Sequence, residues 1–120
     1  MEESASVADP RPRVIAEHGE HRVAGLRCSA CRYPVVGSAP HCPVCRGSLE
    51  TGLFGPEGTV WSHTTVRVAV SGREPPYTLA YVDLDDGPRI LAHAAGPVEV
   101  GDRVRLTGTT ADGDPEVARA

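Results

Sequence analysis

Residues 59–70 read TVWSHTTVRVAV, and the alternation in this run decides the class of the fold. Val60, Ser62, Thr64, Val66, Val68 and Val70 fall on one side of an extended chain, with Trp61, His63, Thr65, Arg67 and Ala69 on the other. A period of two belongs to a half-buried strand and not to a helix. One face reads as core; the other carries an aromatic, a histidine and an arginine.

The same texture continues downstream. After the turn residues SGREPP at 71–76, Tyr77–Leu84 reads as a second strand, and DDGP at 85–88 as a hairpin turn into a third strand at 89–95. Arg103–Thr109 reads as a fourth, with Val104 and Leu106 inward and Arg103, Arg105 and Thr107 outward. A short fifth follows at 116–119. Five short strands, the first long enough to bend, predict a small barrel of the OB type, with an SH3-like barrel or an open meander sharing the same count.

Upstream the chain changes character. Residues 26–49, LRCSACRYPVVGSAPHCPVCRGSL, hold all four cysteines as two Cys-x-x-Cys turns, Cys28/Cys31 and Cys42/Cys45, ten residues apart. Each turn offers two sulfurs from one bend of backbone, and a hairpin that brings the turns together completes a tetrahedral site. We read one structural Zn²⁺, with a rubredoxin-like iron site or free thiols as alternatives. His41 beside Cys42 reads as a turn residue. Four thiolates around Zn²⁺ take the formal charge from −4 to about −6, and Arg27, Arg32 and Arg46, each flanking a ligand, are candidates to offset it at the sulfurs or nearby carbonyls. A segment so poor in large apolar side chains gains folding energy from the metal.

The expected organisation is therefore mainly β: a flexible leader or short helix over 1–21, a zinc ribbon with rubredoxin-like knuckles over 22–54, and a five-stranded OB-fold barrel over 55–120. Within the first part, residues 14–23 suit one or two helical turns broken at Gly19, or a loop. The 120 residues, with 13 Gly, 11 Pro and five aromatics, leave little room for an independent catalytic fold. All twelve basic residues are Arg, and from residue 56 onward six of them face ten acids, a poor balance for binding a phosphate backbone. No apolar run approaches the ~20 residues that span a bilayer, and MEESASVADP is unlike a signal peptide, so a cytoplasmic protein is expected.

Two knuckles, then GTVWSHTTV at 58–66, PYTLAYVDLDDGPRILAH at 76–93 and VGDRVRL at 100–106, in that order and spacing, resemble the acyl-CoA-associated family of zinc-ribbon plus OB-fold proteins, a domain long without assigned function. The likeness covers about residues 22–110. Family knuckles commonly read Cys-Pro-x-Cys-Gly, whereas here Arg46 follows Cys45 and Arg32 follows Cys31. The leader is also shorter than the helical arm of many members.

The resemblance implies a non-catalytic accessory subunit of a thiolase-superfamily enzyme (thiolase, acyltransferase or retro-aldolase), sometimes with a hydratase partner. Acyl-CoA is then met through the partner, and the barrel face bridges subunits or lines the approach of CoA. No catalytic residue is assigned to this chain. Trp61, His63 and Arg67, with Arg103 and Arg105, form the expected partner or CoA contact set, since Trp and Arg are enriched at hot spots and Arg suits phosphate. A nucleic-acid-binding zinc-ribbon/OB module is the alternative, disfavoured by the acidic barrel half.

Overall fold

The computed structural model describes residues 11–68 and 74–120. Residues 1–10 of the expected leader, Ala69 and Val70 of the first barrel run, and residues 71–73 of the following turn lie outside the described residues. Among those described, the secondary structure is all β: β1 (Arg13–Glu17), β2 (Glu20–Cys28), β3 (Pro34–Val36), β4 (Leu49–Phe54), β5 (Glu57–Val66), β6 (Tyr77–Leu84), β7 (Arg89–Ala94), β8 (Arg103–Thr109) and β9 (Pro115–Arg119).

The last five strands form a closed barrel in the order β9-β7-β6-β5-β8. Closure depends on the long first strand, whose start, Glu57 to Thr59, pairs with β8 while Gly58 to Val66 pairs with β6. Strand β9 closes the ring, parallel to β7 and antiparallel to β8. The five-stranded OB-type barrel expected from the alternation is thus present, and its closure excludes an open meander. Its core is Val60, Ala80, Val82, Leu84, Ile90, Ala92, Val98, Val104, Leu106 and Val117.

The first four strands make a second sheet in which β2 is central, paired with β1, β3 and β4. It shares the barrel's core through Val23 and Phe54, both buried. Residues 14–23 are accordingly a β-hairpin and not helical turns. His18 and Gly19 both take positive φ, 54° and 77°, as a two-residue hairpin loop requires, and the resulting register sets Val14 opposite Val23. Burying that pair against the barrel outweighs the weak helical preference of an isolated ten-residue stretch.

A second correction concerns the faces of β5. The ladder to β6 slips between Val60 and Ser62: Val60 pairs with Val82 and Ser62 with Tyr81. This β-bulge at Trp61 reverses the alternation. Val60 points into the core, but Ser62, Thr64 and Val66 share the outer side with Tyr81, Leu79 and Tyr77, and Val68 beyond the strand is 75% exposed. His63 is exposed although its ladder partner is the buried Ala80.

Candidate metal centre and barrel surface

The two cysteine turns are built alike. In the first, the Arg32 amide donates to the Cys28 carbonyl (3.0 Å) and the Cys28 amide to the Tyr33 carbonyl (3.0 Å); in the second, Arg46 donates to Cys42 and Cys42 to Gly47, both at 2.9 Å. The bends aim backbone N–H groups at sulfur. The Ala30 and Cys31 amides lie 3.4 and 3.3 Å from the Sγ of Cys28, and those of Val44 and Cys45 lie 3.4 and 3.5 Å from that of Cys42.

These donors stabilise thiolate. The Cys31 amide does most to bring the Cys28 thiol down to about 6, and at Cys42 the Cys45 and Val44 amides with the Cys31 thiol outweigh burial, so that thiol is also lowered. At Cys31 the Tyr33 amide also favours thiolate, but burial and the crowding of the other three sulfurs prevail and push it up to about 12. Four sulfurs this close do not carry four charges without a cation among them.

The fit to one tetrahedral ion is geometric. All four Sγ atoms lie within 4.8 Å of one another, with Cys28–Cys45 at 3.4 Å and Cys31–Cys42 at 3.6 Å. Bonds of about 2.3 Å to Zn²⁺ place tetrahedral sulfurs about 3.8 Å apart. Gly47 packs directly on the cluster: a β-carbon there would sit 3.2 Å from both Cys28 and Cys45 sulfurs. Its need for glycine was not evident from the cysteine spacing. Arg32 and Arg46 occupy left-handed backbone (φ 69° and 66°), the conformation that glycine adopts freely. Of the three flanking arginines, Arg27 donates to a carbonyl, that of Arg32 (2.7 Å), and Arg32 pairs with Glu50 at 3.3 Å.

Trp61 points outward, on the non-core face expected from the alternation, and is 52% exposed. Its neighbours are ones that sequence reasoning did not select. Tyr81 meets it edge-on at 6.3 Å, and the Arg89 guanidinium stacks over its ring at 3.8 Å. Arg89 is held there by Asp83, through contacts of 2.6 and 3.2 Å. Leu91 pairs with Tyr81 across β6 and β7, and both are more than 40% exposed. The parity of β6 and β7 was the available signal: Tyr81 and Asp83 alternate with buried Val82 and Leu84, and Arg89 and Leu91 with buried Ile90 and Ala92.

The other expected contact residues are placed differently. Arg67 lies just past β5 and is exposed. Arg103 and Arg105 sit in a network of carboxylates, Arg103 with Asp85 (2.5 Å) and Glu57 (3.5 Å), and Arg105 with Glu57 (3.0 Å) and Glu20 (2.9 Å). The network joins β8 to the first hairpin. His93 contacts Asp114 at 3.4 Å and stacks on Tyr77.

Residues 53–109 match the family model for the C-terminal OB-fold domain of ChsH2. This stretch of the barrel is therefore similar to the OB-fold domain of the DUF35 family. The chain is 31% identical over 93 residues to benzoylsuccinyl-CoA thiolase subunit BbsA of Thauera aromatica, covering 73% of this chain and 65% of that one. It is 32% identical over 90 residues to a DUF35 domain-containing scaffold protein of Pyrococcus furiosus, covering 68% of this chain and 65% of that one. It therefore spans about 65% of the length of these curated relatives.

Among solved structures it superposes on a chain of the Ltp2-ChsH2(DUF35) aldolase with a TM-score of 0.68 and 27% identity, covering 82% of this chain and 84% of that one. A Sulfolobus solfataricus DUF35 protein of unknown function shares the fold at a TM-score of 0.61 and 21% identity, over 82% of this chain and 76% of that one. By their names, the first of these relatives is a thiolase subunit, the second a DUF35 scaffold protein, and the first of the solved structures an aldolase that contains a DUF35 chain. No helix among the described residues is long and apolar enough to cross a membrane.

Proposed function

We propose that this protein is a non-catalytic accessory subunit that binds and supports a thiolase-like acyl-CoA enzyme, and that its four cysteines hold one structural Zn²⁺. The observation that carries the reading is the likeness, over 82% of the chain, to a subunit of an aldolase complex, joined to the sequence match with a thiolase subunit. In this reading residues 22–54 are the metal-organised unit and 55–120 the barrel that meets the partner. When bound, the zinc supplies folding energy and no chemistry, because four thiolates close its coordination shell.

The expected contact set enters with Trp61 at its centre. Tyr81, Leu91 and the Asp83-anchored Arg89 extend it into a rigid apolar face with one polar rim, the composition of a protein hot spot. His63 and Arg67 lie along the same strand and its continuation, where a partner or the phosphates of CoA would meet them. Arg103 and Arg105 reach such a phosphate only by leaving Asp85, Glu57 and Glu20. Within that face the Arg89 charge is already matched by Asp83, which favours a protein surface over a polyanion.

Co-expression with the thiolase-like protein encoded in the same genome tests the reading. A stoichiometric complex with acyl-CoA activity that neither chain has alone is expected; a partner that is fully active alone and does not co-purify sinks it. Elemental analysis should return one zinc per chain.

A further inference from the structure

Arg27 immediately precedes the ligand Cys28, yet its guanidinium spends its donors on two distant carbonyls. One Nη donates to the Arg32 carbonyl at 2.7 Å, in the first cysteine turn; the other donates to the carbonyl of Asp86, in the turn between β6 and β7. Its Cζ lies over the Phe54 ring, 5.0 Å from the centroid. One side chain thus ties the metal knuckle, the core residue shared by the two sheets, and the barrel hairpin.

Both ends of this tie have defined supports. The Arg32 carbonyl is set by the bend that closes on the Cys28 carbonyl and that presents Cys28 and Cys31 to the same ion. The β6–β7 turn is held internally by Leu84 and Gly87 amides on the Pro88 and Leu84 carbonyls, at 3.2 Å each, and on the sheet side by the Gly55 amide on Asp86 Oδ1 at 3.0 Å. Between the knuckles and the turn lies a crevice of about 530 Å³, lined by Tyr33, Pro34, Pro43, Gly87 and Arg89 among others. Arg27, through its two carbonyl hydrogen bonds, links the first knuckle to this turn.

We propose that Arg27 is the positioning residue that makes the filled cysteine site and the β6–β7 hairpin one cooperative unit, so that metal binding in the ribbon orders the barrel strands bearing Tyr81, Asp83, Arg89 and Leu91. Metal fixes the first knuckle, the knuckle fixes the Arg32 carbonyl, and Arg27 is then committed to Asp86 without loss of its other partner. With the knuckle free to open, the guanidinium retains one fixed acceptor, the Asp86 carbonyl, instead of two, and the turn loses its link through Arg27 to the knuckle while keeping the Gly55–Asp86 hydrogen bond. Coupling of this kind is reciprocal, so loss of the Arg27 contacts weakens metal binding in turn.

This inference rests on the metal reading of the four cysteines and not on the identity of any partner. Amide hydrogen exchange in the full chain tests it, with Zn²⁺ bound and after chelation, in the wild type, Arg27→Gln and Arg46→Gln. The Co²⁺ absorption spectrum verifies a tetrahedral thiolate site in each. In the wild type, chelation should speed exchange at Asp85 and Gly87 about tenfold or more. Zinc-loaded Arg27→Gln should already exchange at the fast rate and bind metal at least about tenfold more weakly. Arg46→Gln, which flanks a ligand in the other knuckle, should keep wild-type protection of the turn.

Unchanged turn protection in zinc-loaded Arg27→Gln overturns the proposal, as does a wild-type turn that is indifferent to chelation. If chelation unfolds the whole chain, the two zinc-loaded variants decide. A chain that takes up no metal defeats the metal reading instead, which separates the two failures.

Discussion

Gly87 lies against Phe54 so closely that a β-carbon on it would fall 2.5 Å from Cδ1 of the ring. The contact joins the barrel's β6–β7 turn to the last residue of β4, and Phe54 is 1% exposed. Gly87→Ala should destabilise the protein by about 1–3 kcal/mol through overpacking, and Phe54→Ala by about 3–5 kcal/mol through the cavity it leaves. Denaturant titration of the metal-loaded chain measures both. A neutral Gly87→Ala would mean that the two sheets are not packed as described.

Arg46→Gly should be neutral or stabilising. A non-glycine residue in left-handed backbone costs about 1–2 kcal/mol, and glycine returns roughly 0.5–1 kcal/mol of that as unfolded-state entropy. A gain of up to about 1 kcal/mol in the metal-bound protein is therefore expected, read as a rise in thermal midpoint, and Arg46→Ala should show no such gain. Gly47→Ala should act the other way, weakening metal binding because the added carbon meets two ligand sulfurs at 3.2 Å.

Acid should loosen the joint between hairpin and barrel. The Arg105 and Arg22 guanidiniums hold the Glu20 carboxyl below its ordinary 4.5, and Arg103 holds Asp85 below its ordinary 3.8. Folding lowers both values, so their stabilisation is complete above those ordinary values and is lost as pH falls through the folded ones. Arg103→Gln should return Asp85 toward 3.8 in an NMR titration and flatten the fall in stability below that pH. Both side chains are substantially exposed, so added salt should shrink the effect.

Partner binding, if it uses the outer face of β5, β6 and β7, should depend on Trp61 far more than on Arg103. Trp61→Ala should weaken the complex by about 30-fold or more, the scale of a hot-spot truncation, with folding stability changed by no more than about 0.5 kcal/mol. Leu91→Asp should do the same. Titration calorimetry against the thiolase-like subunit checks this. Equal affinity of the Trp61→Ala protein would place the interface elsewhere.

Much of this molecule is local and was legible in one dimension. The strands at 77–84 and 103–109, the DDGP turn and the four-cysteine cluster follow from period-two burial, turn chemistry and the reach of a Cys-x-x-Cys bend, each decided within a dozen residues. What the alternation of 59–70 could not reveal was the bulge at Trp61, because a one-residue slip is set by pairing with β6 and leaves no mark on β5 itself. The hairpin at 13–24 was hidden for a related reason: Val14 and Val23 favour strands only once the barrel offers Val23 a buried seat.

The sequence by itself determined the β class, the barrel's strands and the four-cysteine cluster, since these rest on spacing along the chain. Tertiary structure alone decided which arginines are engaged, that Ser62, Thr64 and Val66 turn outward past the bulge, and that Arg27 bridges a cysteine turn and a barrel turn 59 residues away. Those are contacts between segments distant in sequence, chosen by closure of the barrel and by the single core that Val23 and Phe54 share with it.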